Sequence, residues 1–262
     1  MKDHWSLHAE RWHLIGAPLR PSCEDVGIVR KIVDDWRIKY DREPHVVVLG
    51  VTPELVRAFP MVTAIDNETA MIEAHFQERI GHRIIQADWR AIPLEDASAD
   101  IILGDGVTSI IGYPDDYRVL ASELGRLLSP DGLVALRFFA SPEIKESLDH
   151  IAADLNANTI GSFHVLKWRI AMAIPTDDQR IKSAAIREAF DVMVPDRAAL
   201  AARTGWARDV IDNIDIYRNS GAVRAYPPVS VVRAAFAPLR ERGVHAKSYE
   251  LGDRCPTIVF SH

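Results

Sequence analysis

The feature that most constrains this chain is a regular alternation of short apolar segments with helical segments between residues 45 and 139. Residues 45–50 form a β-branched, apolar run that ends in Gly50, which is typical of a strand buried on both faces of a parallel sheet. The strands predicted after it lie at residues 61–65, 83–87, 100–103 and 133–139, and the helices between them begin at Pro53 or span 68–80 and 116–128. Strands that alternate with helices in this way predict an α/β fold with a mostly parallel sheet.

The segments on either side of this core have different patterns. A helix is predicted at residues 21–40, and residues 141–228 have helical periodicity without strands, which predicts a helical insert. A helix at 230–241 precedes two strands at 244–250 and 257–261, and their short connection predicts an antiparallel hairpin. We expect one domain, 1–262, with four parts: an N-terminal helical cover (1–41), a core (42–140), the insert (141–228) and a terminal helix with two strands (229–262).

Composition narrows the class of function. The 262 residues include 31 Lys and Arg against 37 Asp and Glu, a formal net charge of −6, and no basic run. Because nucleic-acid binders gain affinity from a basic face, nucleic acid is not an expected partner. The two cysteines are too few for a disulfide framework, and no apolar run approaches the roughly 18 residues that suggest a membrane span. No secretory signal is recognised at the start, so we expect a cytoplasmic location.

Glycine and acidic residues stand at the predicted carboxyl ends of the strands, where ligands bind in an open α/β sheet. Gly50 follows the first strand, and Asp66, Asp88 and Asp105 follow the next three. A carboxylate after the second strand accepts hydrogen bonds from both hydroxyls of a ribose. Asp88 can accept a hydrogen bond from an exocyclic amine, and Trp89 beside it offers a flat surface to a purine. We therefore expect a cofactor that contains a nucleoside.

Residues 46–139 resemble the class I S-adenosylmethionine-dependent methyltransferases. The resemblance rests on the order and spacing of five segments: Val-Val-Val-Leu-Gly (46–50), Ala-Ile-Asp (64–66), Gln-Ala-Asp-Trp-Arg-Ala-Ile-Pro-Leu (86–94), Ala-Asp-Ile-Ile-Leu (99–103) and Leu-Leu-Ser-Pro-Asp-Gly-Leu (127–133). It implies a Rossmann-like sheet of seven strands that ends in an antiparallel hairpin, with S-adenosylmethionine as the cofactor.

The resemblance also implies which residues hold the cofactor. Gly50 would lie near the methionine moiety, Asp66 at the ribose, and Asp88 with Trp89 at the adenine. Arg20 is a candidate partner for the methionine carboxylate. The expected cofactor-binding residues are Arg20, Gly50, Thr52, Asp66, Asn67, Met71, Asp88, Trp89, Asp105 and Gly106.

The first loop departs from the family pattern. Methyltransferases of this class usually carry two or three glycines there, whereas this chain reads Leu-Gly-Val-Thr-Pro-Glu (49–54), which we interpret as the mark of a subgroup. Because the loop is poor in glycine, a non-catalytic methyltransferase-like interaction subunit stays open as an alternative to an enzyme. A nicotinamide-dependent oxidoreductase is a weaker alternative, since the chain lacks a G-x-G-x-x-G motif after the first strand.

The expected reaction is in-line transfer of the sulfonium methyl group to a small-molecule acceptor, with the helical insert as a lid. Acceptor pockets combine aromatic walls with a few polar groups, so Tyr113, His164, Trp168 and Tyr217 are candidates for this pocket. His164 and Asp105 are the candidate catalytic residues, each as a general base.

Three further interpretations concern charged groups and assembly. His4, His8 and His13 lie close in sequence, but a metal site needs further ligands in a fixed geometry, so we expect no metal. Arg137 is unusual inside a predicted buried strand and is a candidate partner for Asp105. A homodimer stays open.

Overall fold

The computed structural model describes residues 4–174, 176 and 178–262, with the backbone alone for His4, so its side chain and the first residues of the predicted cover lie outside the described residues. The strands are β1 (Val46–Leu49), β2 (Val62–Asp66), β3 (His82–Gln86), β4 (Ala99–Asp105), β5 (Leu128–Arg137), β6 (Arg180–Lys182), β7 (Val223–Ala225), β8 (Arg240–His245) and β9 (Thr257–Ser261). The α-helices are α1 (His4–Glu10), α2 (Cys23–Tyr40), α3 (Pro53–Val56), α4 (Thr69–His75), α5 (Asp115–Leu127), α6 (Leu148–Asn156), α7 (Phe163–Ala173), α8 (Ser183–Met193), α9 (Arg197–Thr204), α10 (Arg208–Asp212) and α11 (Val229–Ala235). Over this described part of the chain, every helix is too short or too polar to cross a membrane.

Seven strands form one sheet in the order β3-β2-β1-β4-β5-β9-β8. The first five strands pair in parallel, and β9 runs antiparallel to both of its neighbours, β5 and β8. This arrangement confirms the predicted α/β fold with a mostly parallel sheet and an antiparallel end. The chain leaves β1 towards β2 on one side and returns to β4 on the other, which opens a crevice at the carboxyl ends of β1 and β4.

Helix α2 covers one face of the sheet and begins at a capping box formed by Ser22 and Asp25. The Asp25 backbone N–H donates to Ser22 Oγ (3.2 Å), and the Ser22 backbone N–H donates to the Asp25 carboxylate (2.8 Å). Its buried residues include Val29 and Trp36, and the Trp36 indole donates to the carbonyl oxygen of Asp131 (2.8 Å). These contacts fix α2 against the sheet, and the chain that precedes α2 therefore passes close to the crevice.

The insert contains strands that the sequence analysis did not predict. The prediction of helices without strands over residues 141–228 is wrong at β6 and β7, which form a two-stranded antiparallel sheet. Each has only three residues, too few to show an alternation of apolar and polar positions, and their partners lie some forty residues apart. The helices α6 to α10 bury an apolar cluster of their own, with Phe163, Trp168 and Phe190 among its largest side chains.

Two helices end earlier than predicted. Helix α4 ends at His75 rather than at residue 80, and Gly81, instead of ending a helix, has a φ of 85° and accepts from the backbone N–H of Val62 at the start of β2. Helix α11 ends at Ala235 rather than at residue 241.

The first strand of the terminal hairpin begins earlier in the chain than the sequence predicts. Strand β8 spans Arg240–His245, whereas the pattern predicts a strand over 244–250; β9 matches its prediction. Glu241 lies opposite Phe260 in the hairpin. Pairing with β9 overrides the helical pattern of this segment, since strand formation depends on neighbours that local periodicity does not register.

Candidate active site

A cavity of about 330 Å³ lies at the carboxyl ends of β1, β2 and β4, a size within the range of small-molecule sites. The core lines one end of the cavity, which we call the cofactor end. Nine of the ten predicted cofactor-binding residues line the cavity, all except Arg20: Gly50, Thr52, Asp66, Asn67, Met71, Asp88, Trp89, Asp105 and Gly106. The structure therefore brings these residues together, while their individual roles stay predictions.

Gly50 lets a ligand approach the backbone closely in the crevice. Its φ is 96°, a conformation that L side chains rarely adopt, and its N–H donates to the carbonyl oxygen of Ile65 (2.6 Å). A Cβ added at Gly50 would lie 3.7 Å from the Trp89 ring and 3.8 Å from Asp66 Oδ2. The glycine, the indole and the carboxylate thus face one another across the cofactor end.

Asp66 ends β2 and is only 6 % exposed. Its Oδ1 accepts a hydrogen bond from the Glu68 backbone N–H (2.9 Å). Burial raises the pKa of the Asp66 carboxyl, although backbone N–H groups from Glu68, Val51 and Asn67 oppose that shift. Such a carboxylate at the end of the second strand is placed to accept the two hydroxyls of a ribose.

Trp89 and Asp88 extend the cofactor end beyond β3. The Trp89 indole donates to the carbonyl oxygen of Ile65 (2.6 Å), which holds the ring against the end of β2. Arg90 Nε donates to Asp88 Oδ1 (2.9 Å), and Arg90 Nη1 donates to Asp116 (2.5 Å). The hydrogen bonds from Arg90 hold the pKa of the Asp88 carboxyl below its usual range. Asp88 is therefore an ion-pair partner of Arg90 as well as a lining residue.

Asp105 and Arg137 form the ion pair that the sequence suggested. Arg137 Nε donates to Asp105 Oδ1 (2.6 Å), and both side chains are buried. Arg137 Nη1 also donates to the carbonyl oxygen of Pro18 (2.9 Å). Burial alone lowers the pKa of the Arg137 guanidinium, but Asp105 outweighs this effect and raises it. An Asp105 carboxylate held by a buried guanidinium is poorly suited to accept a substrate proton, so its role as a base stays a prediction without support from this geometry.

Arg20 and His164 do not reach the cavity lining. Arg20 pairs with Glu54 through Nε, and its Nη1 donates to the carbonyl oxygen of Trp12 (3.4 Å). His164 Nε2 accepts the backbone N–H of Gly16 (3.0 Å). Because a backbone N–H can only donate, this contact requires a neutral ring that carries its proton on Nδ1. Burial, with a smaller effect from nearby Lys167, lowers the pKa of His164 to about 3.

Of the four predicted acceptor-pocket residues, the structure brings only Tyr217 to the cavity lining. His164 has the contact just described. Trp168 packs in the insert, with its ring centroid 4.8 Å from that of Phe139, which does line the cavity. Tyr113 packs edge-on against Tyr117 (5.4 Å between centroids).

The other end of the cavity, which we call the acceptor end, contains residues that are not among the predicted site residues. They come from α1, the segment directly after β5, α7, and β7 with the residue that follows it: Trp5, His8, Phe139, Lys167, Arg224 and Tyr226. One of them had a detectable signal. Lys167 interrupts the apolar run of α7, in which every residue is buried. A lysine in a helix with no exposed face is a candidate functional residue from its sequence context alone.

Comparison with known proteins agrees with this site. The family described as a methyltransferase domain matches residues 50–136, about a third of the chain, and the match includes β2 and β4. This segment is similar to a methyltransferase domain. Uncharacterised methyltransferases of Mycobacterium bovis and Mycobacterium tuberculosis are 28% identical to this chain over 102 residues, which are 38% of this chain. The match spans 50% of the length of these curated relatives.

Solved structures share the fold of the whole chain. The CcbJ methyltransferase from Streptomyces caelestis is similar over 99% of this chain and 98% of its own, with a TM-score of 0.59 and 10% identity. A protein from Rhodobacter sphaeroides described as a putative Zn-dependent alcohol dehydrogenase is similar over 100% of this chain and 98% of its own, with a TM-score of 0.54 and 15% identity. At such low identities these similarities show the fold alone.

The domain match and the named relatives agree with the resemblance to methyltransferases that the sequence analysis identifies. The predicted resemblance of residues 46–139 to methyltransferases is confirmed for residues 50–136. The subgroup that we inferred from the Leu-Gly-Val-Thr-Pro-Glu loop is not tested by these comparisons and stays a prediction.

Proposed function

We propose that this chain is an S-adenosylmethionine-dependent methyltransferase that transfers the methyl group in line to a small-molecule acceptor. The observation that carries the proposal is the position of Asp66, a buried carboxylate that closes β2 and faces Gly50 across the cofactor end. In this class of fold, a carboxylate at the end of a strand accepts hydrogen bonds from a ribose, and a glycine nearby lets the cofactor pass close to the backbone.

The residues present fit the cofactor. Asp66 Oδ1 takes the Glu68 backbone N–H, while Oδ2 faces the space that a side chain at Gly50 would occupy. The Trp89 ring borders the same space and is held by its own hydrogen bond. Gly50 has no Cβ and adopts a positive φ, so the glycine-poor loop still lets a ligand approach the backbone closely at this one position.

The chain's own residues contribute chiefly by positioning. When bound, the cofactor supplies an electrophilic methyl group on a sulfonium centre. Asp66 and Trp89 would orient the nucleoside, and the aromatic walls of the acceptor end would hold the acceptor and exclude water. Holding two reactants in line supplies much of the acceleration in such a displacement. Since Arg137 engages Asp105 and His164 lies outside the lining, we assign no base.

We further propose that the chain acts as one domain in which the insert and the N-terminal cover form a lid. Lys167 and Arg224 of the insert and Trp5 of α1 all line the acceptor end, which supports this role. Arg224 lies over the Trp5 ring (5.6 Å to the centroid), so the two covering segments meet there.

Calorimetric titration with S-adenosylhomocysteine tests the proposed function. We expect micromolar binding by the unchanged chain and a loss of about tenfold to a hundredfold in Asp66→Asn, because hydrogen bonds to a charged acceptor are lost. Asp149→Asn, an exposed change in α6, is the control and should bind as the unchanged chain does. Circular dichroism checks that each variant is folded.

Two results would count against the proposal. An absence of binding at millimolar S-adenosylhomocysteine would remove the cofactor and favour a non-catalytic interaction subunit. Equal affinities for the unchanged chain and Asp66→Asn would show that the ligand is held elsewhere than at the end of β2.

A further inference from the structure

The two ends of the cavity differ in charge. Acidic side chains line the cofactor end, and the cation among them, Arg90, is paired with Asp88 and Asp116. The acceptor end instead presents Lys167 and Arg224. A site with this asymmetry favours a ligand whose negative charge lies at the acceptor end.

Lys167 is the unusual member of the acceptor end. It is 3% exposed, and among the residues that the structure describes no carboxylate lies within ion-pair distance of its Nζ. Arg169, two residues further along α7, is a buried cation with anionic partners, because its Nη2 pairs with Glu146 and Asp154, each at 2.6 Å. Burying a cation without an anionic partner lowers the stability of the folded state, and Lys167 is such a cation on the wall of the cavity.

The surroundings of Lys167 are aromatic. Its Nζ lies 5.4 Å from the centroid of the Tyr217 ring, and Phe139 and Tyr226 line the same cavity. Burial lowers the pKa of the Lys167 ammonium, and Arg224 lowers it further, although Tyr217 acts in the opposite direction. An anion placed beside Nζ would reverse that shift, so binding of an anion and protonation of Lys167 favour each other.

We propose that the acceptor end takes a small aromatic carboxylic acid, with its carboxylate paired to Lys167 Nζ and its ring between the aromatic walls. This inference names the substrate class of the proposed methyltransferase and rests on that proposed function. A carboxylate is the chemical group that matches a buried ammonium in an aromatic pocket. Arg224 lines the same end.

The test compares aromatic carboxylates with the matching neutral carboxamides. The probes are benzoate, 4-hydroxybenzoate and cinnamate with their amides, titrated by calorimetry into the chain with and without S-adenosylhomocysteine. We expect at least one carboxylate to bind about tenfold or more tightly than its amide, as a charge-assisted hydrogen bond to a buried ammonium provides. Lys167→Met should abolish this preference, and Lys182→Met, an exposed lysine of the same insert, should leave it intact.

The outcomes separate this proposal from the proposed function. Equal affinities for each carboxylate and its amide in the unchanged chain, or no binding by any probe at millimolar concentration, would overturn the substrate class even if S-adenosylhomocysteine binds. A preference that survives in folded Lys167→Met would also overturn it. A carboxylate preference without S-adenosylhomocysteine binding would support the anion site and refute the methyltransferase.

Discussion

His164 gives the chain a stability that depends on pH, and replacing it with glutamine should remove that dependence. The Nε2 atom accepts the Gly16 N–H, so the ring must be neutral in the folded state, and burial lowers the pKa of His164 to about 3. The amide oxygen of His164→Gln can accept the same N–H and carries no proton between pH 3 and 7. The variant therefore retains the contact and loses the titration.

The magnitude follows from the two pKa values of the imidazole, 6.5 when unfolded and about 3 when folded. Above pH 6.5 the ring is neutral in both states and contributes no pH dependence. Between about 6.5 and about 3 the unfolded chain binds a proton that the folded chain does not, so the free energy of unfolding falls as the pH falls. One pH unit inside this window costs about 1.4 kcal/mol, and lowering the pH from about 7.5 to about 5 costs about 2 kcal/mol.

Urea unfolding followed by circular dichroism at these two pH values measures the effect. The loss of stability on acidification should be about 2 kcal/mol smaller in His164→Gln than in the unchanged chain. His13→Gln, which removes an exposed histidine, is the matched control and should behave as the unchanged chain does. Equal acid sensitivity in His164→Gln and the unchanged chain would refute the assignment of a buried, neutral imidazole.

Three further predictions concern the core side of the site. Gly50→Ala should lower the free energy of unfolding by about 1–2 kcal/mol and weaken S-adenosylhomocysteine binding, because its φ is positive. Gly205→Ala is the control, since its φ is 75° and its added Cβ meets no atom within 4 Å. This control should lose a similar free energy of unfolding and bind S-adenosylhomocysteine in calorimetry as the unchanged chain does. Arg137→Met should lower the free energy of unfolding, measured in urea, by about 3–5 kcal/mol, because it leaves the Asp105 carboxylate buried without its partner. Adding Asp105→Leu should recover part of that loss. A double variant whose loss equals the sum of the two single losses would contradict the ion pair. Trp89→Phe removes a donor 2.6 Å from a β2 carbonyl oxygen and should cost about 1 kcal/mol in the same assay, whereas an unchanged midpoint would show that this bond contributes nothing.

The cofactor end was predictable because its residues follow strands of one parallel sheet. Each strand has a local apolar pattern, and parallel strands end at the same edge, so Gly50, Asp66 and Asp105 had to come together once the strands were recognised. Arg20 failed to reach the cavity because its position depends on a contact with Glu54, which no local pattern encodes.

The terminal hairpin shows where local pattern loses to tertiary pairing. Residues 230–241 have helical periodicity, yet Glu241 lies in a strand because β9 offers a partner beside it. Tertiary pairing decides the two short strands of the insert even more clearly, since a strand of three residues is too short to show an alternation of apolar and polar positions. Helix α9 (Arg197–Thr204), by contrast, lies in the insert where the periodicity predicts helices, and Asp196 is its N-cap.

By itself the sequence determined the α/β class and the residues that line the cofactor end of the site, because strand and helix periodicity and strand-end residues are local properties. Only the tertiary structure decided the acceptor end. Trp5, Lys167 and Arg224 belong to segments far apart in the chain, and each has an ordinary sequence context apart from the apolar run around Lys167. Their meeting depends on how the N-terminal helix and the insert pack over the sheet, and that packing arises from long-range burial rather than from any local pattern.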